Sequence, residues 1–419
     1  MRDPGAAGSV RAAPGSRLTA LRAMAGMTHV RGMQTMSDQL PRRALLQGAA
    51  ALAVSGCASL PRAGYRPTLA PIRASLDRMF DITVCLRPFR AAGPRLETER
   101  VGDKLVVHNY GHGGSGWSLS WGSADVAVRQ AMAASPAEIA VIGCGAIGLT
   151  SAIMAQRAGA KVTIYARDLL PQTRSSRATG SWTPDSRIAL TTAAGPGFAA
   201  LWEQMARFSF KTYRQYLGLP GTPVEWRDHY FLHDAENETA PPDPPGALDF
   251  ASYRSLIADI TPRSEVMPAG STPFPTPSVR RTSIMMFNLA DYGHTLLSDF
   301  RAAGGQVVHA EFHAPADLAA LPEPVVINCP GVAAREWWKD ASLTPVRGQI
   351  AWLVPQPEVD YGVYYRGVNA ISRRDGIVVQ DISGGDMKGY GDTNETTDRA
   401  DAEHAVGVLA ELYSRFGKP

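Results

Sequence analysis

The sequence is poor in cysteine, in charge and in long apolar runs. Four cysteines occur in 419 residues, at positions 57, 85, 144 and 329. No two have ligand spacing, so neither a disulfide framework nor a cysteine metal site is expected. Charged residues make up 19% of the chain and the net charge is +3. Lys and Arg are scattered rather than striped, which argues against nucleic acid as a partner. The most apolar short stretch, Ala44 to Val54, is too short to span a membrane. No Ser-His-Asp order and no paired carboxylates in one motif point to hydrolysis. No internal repeat is present. Gly (40) and Pro (31) are abundant by contrast. The Pro clusters at 241–245 and 271–277 read as surface loops.

The short apolar stretch carries its own message. Arg42-Arg43 precede it and Val54-Ser55-Gly56-Cys57 closes it. The pattern resembles a signal peptide over 36–57 that ends in a bacterial lipobox, and the arginine pair resembles a twin-arginine export signal. The expectation is export to the periplasmic side with a lipid anchor on Cys57. Residues 1–35 read as a non-structural extension, and 58–80 as a Pro-rich tether.

Two glycine-rich stretches carry the chemistry. In the second, Glu138 to Ile142 is an apolar run of strand type, followed by Gly143, Gly145 and Gly148 in G-x-G-x-x-G spacing. Leu149 to Ala158 has helical composition, and Lys161 to Tyr165 alternates like a second strand. This opens a βαβ unit of about 30 residues. The first glycine allows a tight turn, the second lets backbone approach a pyrophosphate, and the third lets helix and strand pack closely. The helix N-terminus offers free N–H groups and a positive dipole end to phosphate. Asp168 ends the second strand, where an acid recognises ribose hydroxyls; Arg167 beside it leaves NADP open as an alternative. Cys144, inside the turn, reads as a small packing residue.

The first stretch, His108-Asn109-Tyr110-Gly111-His112-Gly113-Gly114, follows an expected strand at 105–108 and precedes a helix expected over 119–133. His108 and His112 read as turn and packing residues, and Trp121 as core. Further strands are expected at 82–99 around a loop, 224–232, 284–289, 306–310, 325–328, 350–354 and 377–380, with Tyr361, Tyr364 and Tyr365 on an intervening loop. Helices are expected over 201–217, 292–303 and 400–416. The fold class is α/β: a Rossmann-like nucleotide domain (about 104–200 and 284–345) interleaved with a sheet-rich substrate domain (about 81–103, 201–283 and 346–399).

Several segments together resemble the D-amino-acid oxidase family, flavoenzymes that also include D-aspartate oxidases. They are ARDL at 166–169, the loop ending Ala178-Thr179-Gly180-Ser181-Trp182, NCPGV at 328–332, RGQI at 347–350, LRPFR at 86–90 and HNYGHGGSGWSLSWG at 108–122. The family usually has Thr where Pro330 stands. The resemblance implies FAD. Gly143, Gly145, Ala146, Ile147 and Gly148 would line the pyrophosphate, and Arg167 and Asp168 would flank the adenosine. Thr173, Ser175, Ala178, Gly180 and Ser181 match loop positions on the flavin side. Gly113, Gly114, Ser115, Gly116, Trp117 and Ser118 match the segment that closes over the flavin. Arg87 matches the arginine that grips the substrate carboxylate. Tyr365 matches a substrate-facing tyrosine, with Tyr364 and Tyr361 as substitutes, while Asn369 stands where a second tyrosine is usual.

The implied reaction is oxidation of a D-amino acid by hydride transfer to flavin, with molecular oxygen as acceptor and ammonia, a 2-oxo acid and hydrogen peroxide as products. A related flavin oxidase of glycine or other amines, a quinone-linked dehydrogenase and a non-catalytic dinucleotide-binding lipoprotein remain open on the same residues. In the family the fingerprint opens the chain, and the LRPFR-type and HNYGHGG-type segments come last. Here both precede it. A circular permutation is therefore expected, with the old ends joined through about 131–138 and new ends near residue 80.

Overall fold

The computed structural model describes residues 68–235 and 245–417. The expected signal segment, Cys57 and residues 241–244 of the first Pro cluster lie outside the described residues. Strand β1 (Met79–Arg90) is followed by β2 (Thr98–Val101), β3 (Lys104–His108) and helix α1 (Gly116–Met132). The βαβ unit is β4 (Glu138–Ile142), α2 (Ala146–Arg157) and β5 (Lys161–Ala166). Next come α3 (Phe198–Tyr213), β6 (Val224–His233), β7 (Glu265–Val266), β8 (Ser278–Phe287) and α4 (Leu289–Ala302). They are followed by β9 (Gln306–His309), β10 (Val325–Asn328) and the single turn α5 (Ala334–Trp337). The last elements are β11 (Leu343–Leu353), β12 (Tyr361–Tyr365), β13 (Val368–Arg373), β14 (Gly376–Asp381) and α6 (Arg399–Ser414).

These strands form two sheets. The six-stranded sheet runs β2-β3-β10-β4-β5-β9. It is parallel from β3 to β9, with β2 antiparallel at its edge. Alternation sorts its side chains. Val107, Ile139, Val141 and Ile327 face the cluster built with α1 and α2. Val106, Ala140, Ile142 and Val326 face Leu318, Leu321 and Trp337 on the other side. Both faces are covered, as a parallel sheet requires. Strand β10 lies between β3 and β4 although it follows β4 by more than half of the described chain.

The eight-stranded sheet runs β1-β11-β14-β13-β12-β6-β8-β7. One face packs on α6, through Tyr230, Val363, Tyr365, Leu409 and Leu412. The other carries Arg87, Tyr364, Asn369 and Gln380 toward a cavity.

Several expectations need correction. Tyr361, Tyr364 and Tyr365 are not on a loop: they form β12, paired with β13 and β6, with Tyr361, Val363 and Tyr365 on the α6 face and Tyr364 on the cavity face. Strand β8 starts at Ser278 rather than 284 and pairs with β6, so the domain boundary at 284 falls inside the eight-stranded sheet. Strand β2, expected in the substrate domain, edges the six-stranded sheet. Helices α1 and α2 each begin three residues earlier than expected, because Gly116 and Ala146 directly follow their turns.

Candidate functional site

Four parallel strands end side by side, and the site starts there. The backbone N–H of Asn109 donates to Asn328 O, that of Cys329 to Ile142 O, and that of Gly143 to Tyr165 O, at 2.9, 3.0 and 2.8 Å. The carboxyl ends of β3, β10, β4 and β5 are thus tied in a row, the usual position of a ligand on a sheet of this type. The glycine turn closes tightly: a side chain on Gly148 would stand 2.0 Å from Gly143 O. This is the close packing that the third fingerprint glycine permits.

A cavity of about 280 Å³ runs along these strand ends. At one end lie Tyr165, Arg167, Asp168 and Glu311. Arg167 donates to Asp168 from Nε and Nη2 (3.0 and 2.9 Å) and to Glu311 from Nη1 (3.2 Å). Held between two carboxylates, Arg167 is not free for a 2′-phosphate, so the NADP alternative loses its anchor. In the middle is the N-terminus of α2. Ser175 Oγ accepts from the Ala146 N–H at 3.0 Å, leaving the N–H groups of Ile147 and Gly148 unclaimed by the helix. At the far end, Trp117 Nε1 donates to Ser175 O at 2.8 Å and pins the loop that carries Thr173 and Ala178. Arg87, Gly114, Trp117 and Ala178 also line a second cavity of about 1100 Å³, so the two spaces meet there. An acid end, a helix N-terminus and a glycine-walled end in series fit adenosine ribose, pyrophosphate and flavin.

Of the residues singled out in the sequence, Gly113, Gly116, Gly143, Gly145, Ala146, Ile147, Gly148, Arg167, Asp168, Thr173 and Ser175 line the first cavity. Ser118, Gly180 and Ser181 line the second. Two lie elsewhere. Ser115 is fully buried and its hydroxyl donates to Ser186 O at 3.0 Å, so it braces a loop instead of facing a ligand. Tyr365 is fully buried on the α6 side, where its hydroxyl lies 3.1 Å from Asp234 and accepts from Arg415 Nη2 at 2.8 Å. Strand alternation sends its neighbour Tyr364 to the cavity face, opposite Asn369.

Arg87 lies on β1, whose partner β11 carries Gly348. A side chain on Gly348 would meet the Arg87 guanidinium at 2.3 to 2.5 Å, so this glycine makes the bed in which the arginine lies. Arg87 has one weak bond, from Nη1 to Arg347 O at 3.5 Å, and no carboxylate partner among the described ion pairs. A guanidinium so placed is ready to take a carboxylate through two parallel bonds.

Below the first glycine stretch runs a polar network. Ser123 Oγ donates to Asn109 Oδ1, so the His112 Nε2–H donates to Ser123 Oγ, at 2.7 Å. Asn109 Nδ2 donates to Ser151 Oγ at 3.1 Å. Burial pushes His112 down to about 3 and holds His108 below its usual range despite Glu99 at 3.2 Å. Both histidines shape the turn. Gly348, Arg187 and His229 are among the cavity residues that escaped the sequence reading. Gly348 sits inside the quoted RGQI, but its role needs the β1–β11 register. Arg187 and His229 carry no motif at all; His229, on β6, is also pushed down to about 4 by burial.

The fold and the cavity define a dinucleotide-binding flavoenzyme architecture. The sequence model of the family described as "DAO: FAD dependent oxidoreductase" matches residues 138–419. The chain belongs to this family of FAD-dependent enzymes, and FAD is its cofactor. It is 30% identical over 214 residues to a D-amino-acid oxidase of Streptomyces coelicolor, covering 51% of this chain and 58% of that relative. It is 25% identical over 287 residues to a D-amino-acid oxidase of Dictyostelium discoideum, covering 66% of this chain and 73% of the relative. The chain thus spans less than two thirds of the length of the Streptomyces relative. A solved L-amino acid deaminase from Proteus vulgaris aligns with a TM-score of 0.43 at 13% identity, over 68% of this chain and 76% of that one.

Proposed function

We propose that the protein oxidises D-amino acids: amino acid, oxygen and water give 2-oxo acid, ammonia and hydrogen peroxide. The observation that carries this reading is Arg87, a cation without a carboxylate partner where the two cavities join. The D-amino-acid oxidases among the relatives support it. FAD, when bound, supplies the hydride acceptor. The backbone N–H groups of Ile147 and Gly148 would hold its pyrophosphate, Asp168 its ribose, and Gly113, Gly114, Gly116 and Trp117 its flavin end. Arg87 fixes the substrate α-carboxylate and so aims Cα at the flavin side. Asn369 and Tyr364 face the substrate from across the sheet. No side chain need act as a base if the substrate enters with a neutral amine.

The purified protein should be yellow and should bleach anaerobically with a D-amino acid. Arg87→Ala should raise KM about 100-fold, as expected for losing a buried charge-assisted pair, while FAD stays bound. Unchanged KM would remove Arg87 from the site. We also propose that the chain is exported and lipid-anchored at Cys57, on the strength of Arg42-Arg43 and the Val-Ser-Gly-Cys ending. Cells fed labelled palmitate should label the wild type and not Cys57→Ser; an unlabelled wild type would sink the idea.

A further inference from the structure

The larger cavity holds a second arginine. Arg187 lies on the loop after Trp182 and lines the same space as Arg87. Its side chain is only 11% exposed. Nε donates to Asp386 O at 2.8 Å and Nη2 to Gly385 O at 2.9 Å, which fixes the guanidinium plane. Its ion-pair partner among the described residues is Asp386, at 3.5 Å, and that carboxylate is itself 57% exposed. Burial, and then the charge of Arg87, push Arg187 down to about 10, so it remains a cation at neutral pH.

Of the other cations of the wall, Arg280 is exposed to solvent and has no ion pair among the described residues, and the rest are matched. Lys388 sits between Asp381 (2.8 Å) and Asp401 (2.9 Å), and Arg254 is paired with Asp185 at 2.9 Å. Arg347 donates to the carbonyls of Asn394 and Thr396 and to Gln349, with Asp392 at 3.9 Å. Among the sheltered cations, Arg87 and Arg187 are left as neighbours, and the one carboxylate paired with either is the solvated Asp386 on Arg187. Such a pair in a sheltered site is costly unless anions settle on it. A neutral amino acid brings one carboxylate, for Arg87, and would lay an uncharged side chain against Arg187. Asn369, with its amide where the family has an aromatic ring, adds a polar wall instead of an apolar one.

We propose that the substrate is an acidic D-amino acid, with its α-carboxylate on Arg87 and its side-chain carboxylate on Arg187. This rests on the D-amino-acid reading above. Two bidentate sites at fixed positions would select for two carboxylates on one small molecule.

The test uses the purified full chain with FAD, assayed with D-glutamate, D-aspartate, D-norvaline and D-alanine. The better of the two acidic substrates should exceed both neutral ones in kcat/KM by at least 30-fold. In Arg187→Gln that ratio should fall about 100-fold, mainly through KM for the acidic substrate, and Arg187→Lys should restore part of it. Glutarate should perturb the flavin spectrum of the wild type more tightly than butyrate, and Arg187→Gln should erase the difference. A neutral substrate preferred by the wild type would overturn the proposal and leave D-amino-acid oxidation standing. An unchanged ratio in Arg187→Gln, or loss of FAD in both variants, would also overturn it, the latter by assigning Arg187 to the cofactor. If no D-amino acid bleaches the flavin, both readings fall together.

Discussion

At the scale of single residues, the site is built by withdrawing atoms as much as by placing them. Gly348 gives Arg87 its bed, and Gly148 lets α2 meet the β4 turn. The fingerprint glycines were legible because their spacing has a known geometric reason. Gly348 was not, since its neighbour across the sheet is 261 positions away in sequence. Buried histidines set a further property of the folded state. His112 and His229 are pushed from 6.5 down to about 3 and about 4 by burial. The unfolded chain therefore takes up protons that the folded chain refuses. Their contribution is whole above about pH 6.5 and is lost as pH falls toward 4. The urea midpoint should be clearly lower at pH 5 than at pH 7.5, and His229→Gln should flatten that slope. A midpoint that rises on acidification would contradict the assignment.

At the scale of elements, alternation along one short strand decides which tyrosine faces the cavity. The sequence shows Tyr364 and Tyr365 side by side, and nothing in their spacing says which face is covered by α6. That information lies in the pairing of β12 with β6 and β13. The two tyrosines should separate experimentally. Tyr364→Phe should alter KM or kcat several-fold with little change in stability. Tyr365→Phe should leave kinetics alone and cost about 1 kcal/mol of stability by removing a buried hydroxyl from Asp234 and Arg415. The reverse pattern, measured by steady-state kinetics and urea unfolding, would put Tyr365 back in the site. The helices were more legible than this strand, because Gly116 and Ala146 follow glycine turns whose purpose is plain. Only their first turns were missed.

At the scale of the whole molecule, the order of segments is the unusual feature. The family match begins at the first residue of β4 and leaves β1, β2, β3 and the first glycine stretch outside it. Yet β1 supplies Arg87 and β3 lies beside β10, as an intact site would need. We read this as a circular permutation. The segments at both ends of the described chain support it by packing in one cluster: Tyr361 Oη donates to Ala70 O at 2.7 Å and lies 3.0 Å from the Tyr413 hydroxyl. The connection at 133–137, where Ser135 has φ 47, is exposed apart from Pro136. A chain opened at Ser135, with residues 417 and 68 joined by a short Gly-Ser linker, should fold and retain FAD. Loss of FAD with a well-folded product would count against the permutation. The sequence revealed this order because both glycine stretches keep their motifs; it could not reveal β2 at the edge of the nucleotide sheet, which depends on register alone. The place of β10 has one more consequence. A ribosome delivers β3 and β4 early, but the strand that must sit between them leaves the tunnel only after residue 328. Until then the nascent chain lacks the strand between β3 and β4, so the cofactor site cannot be complete before β10 joins the sheet.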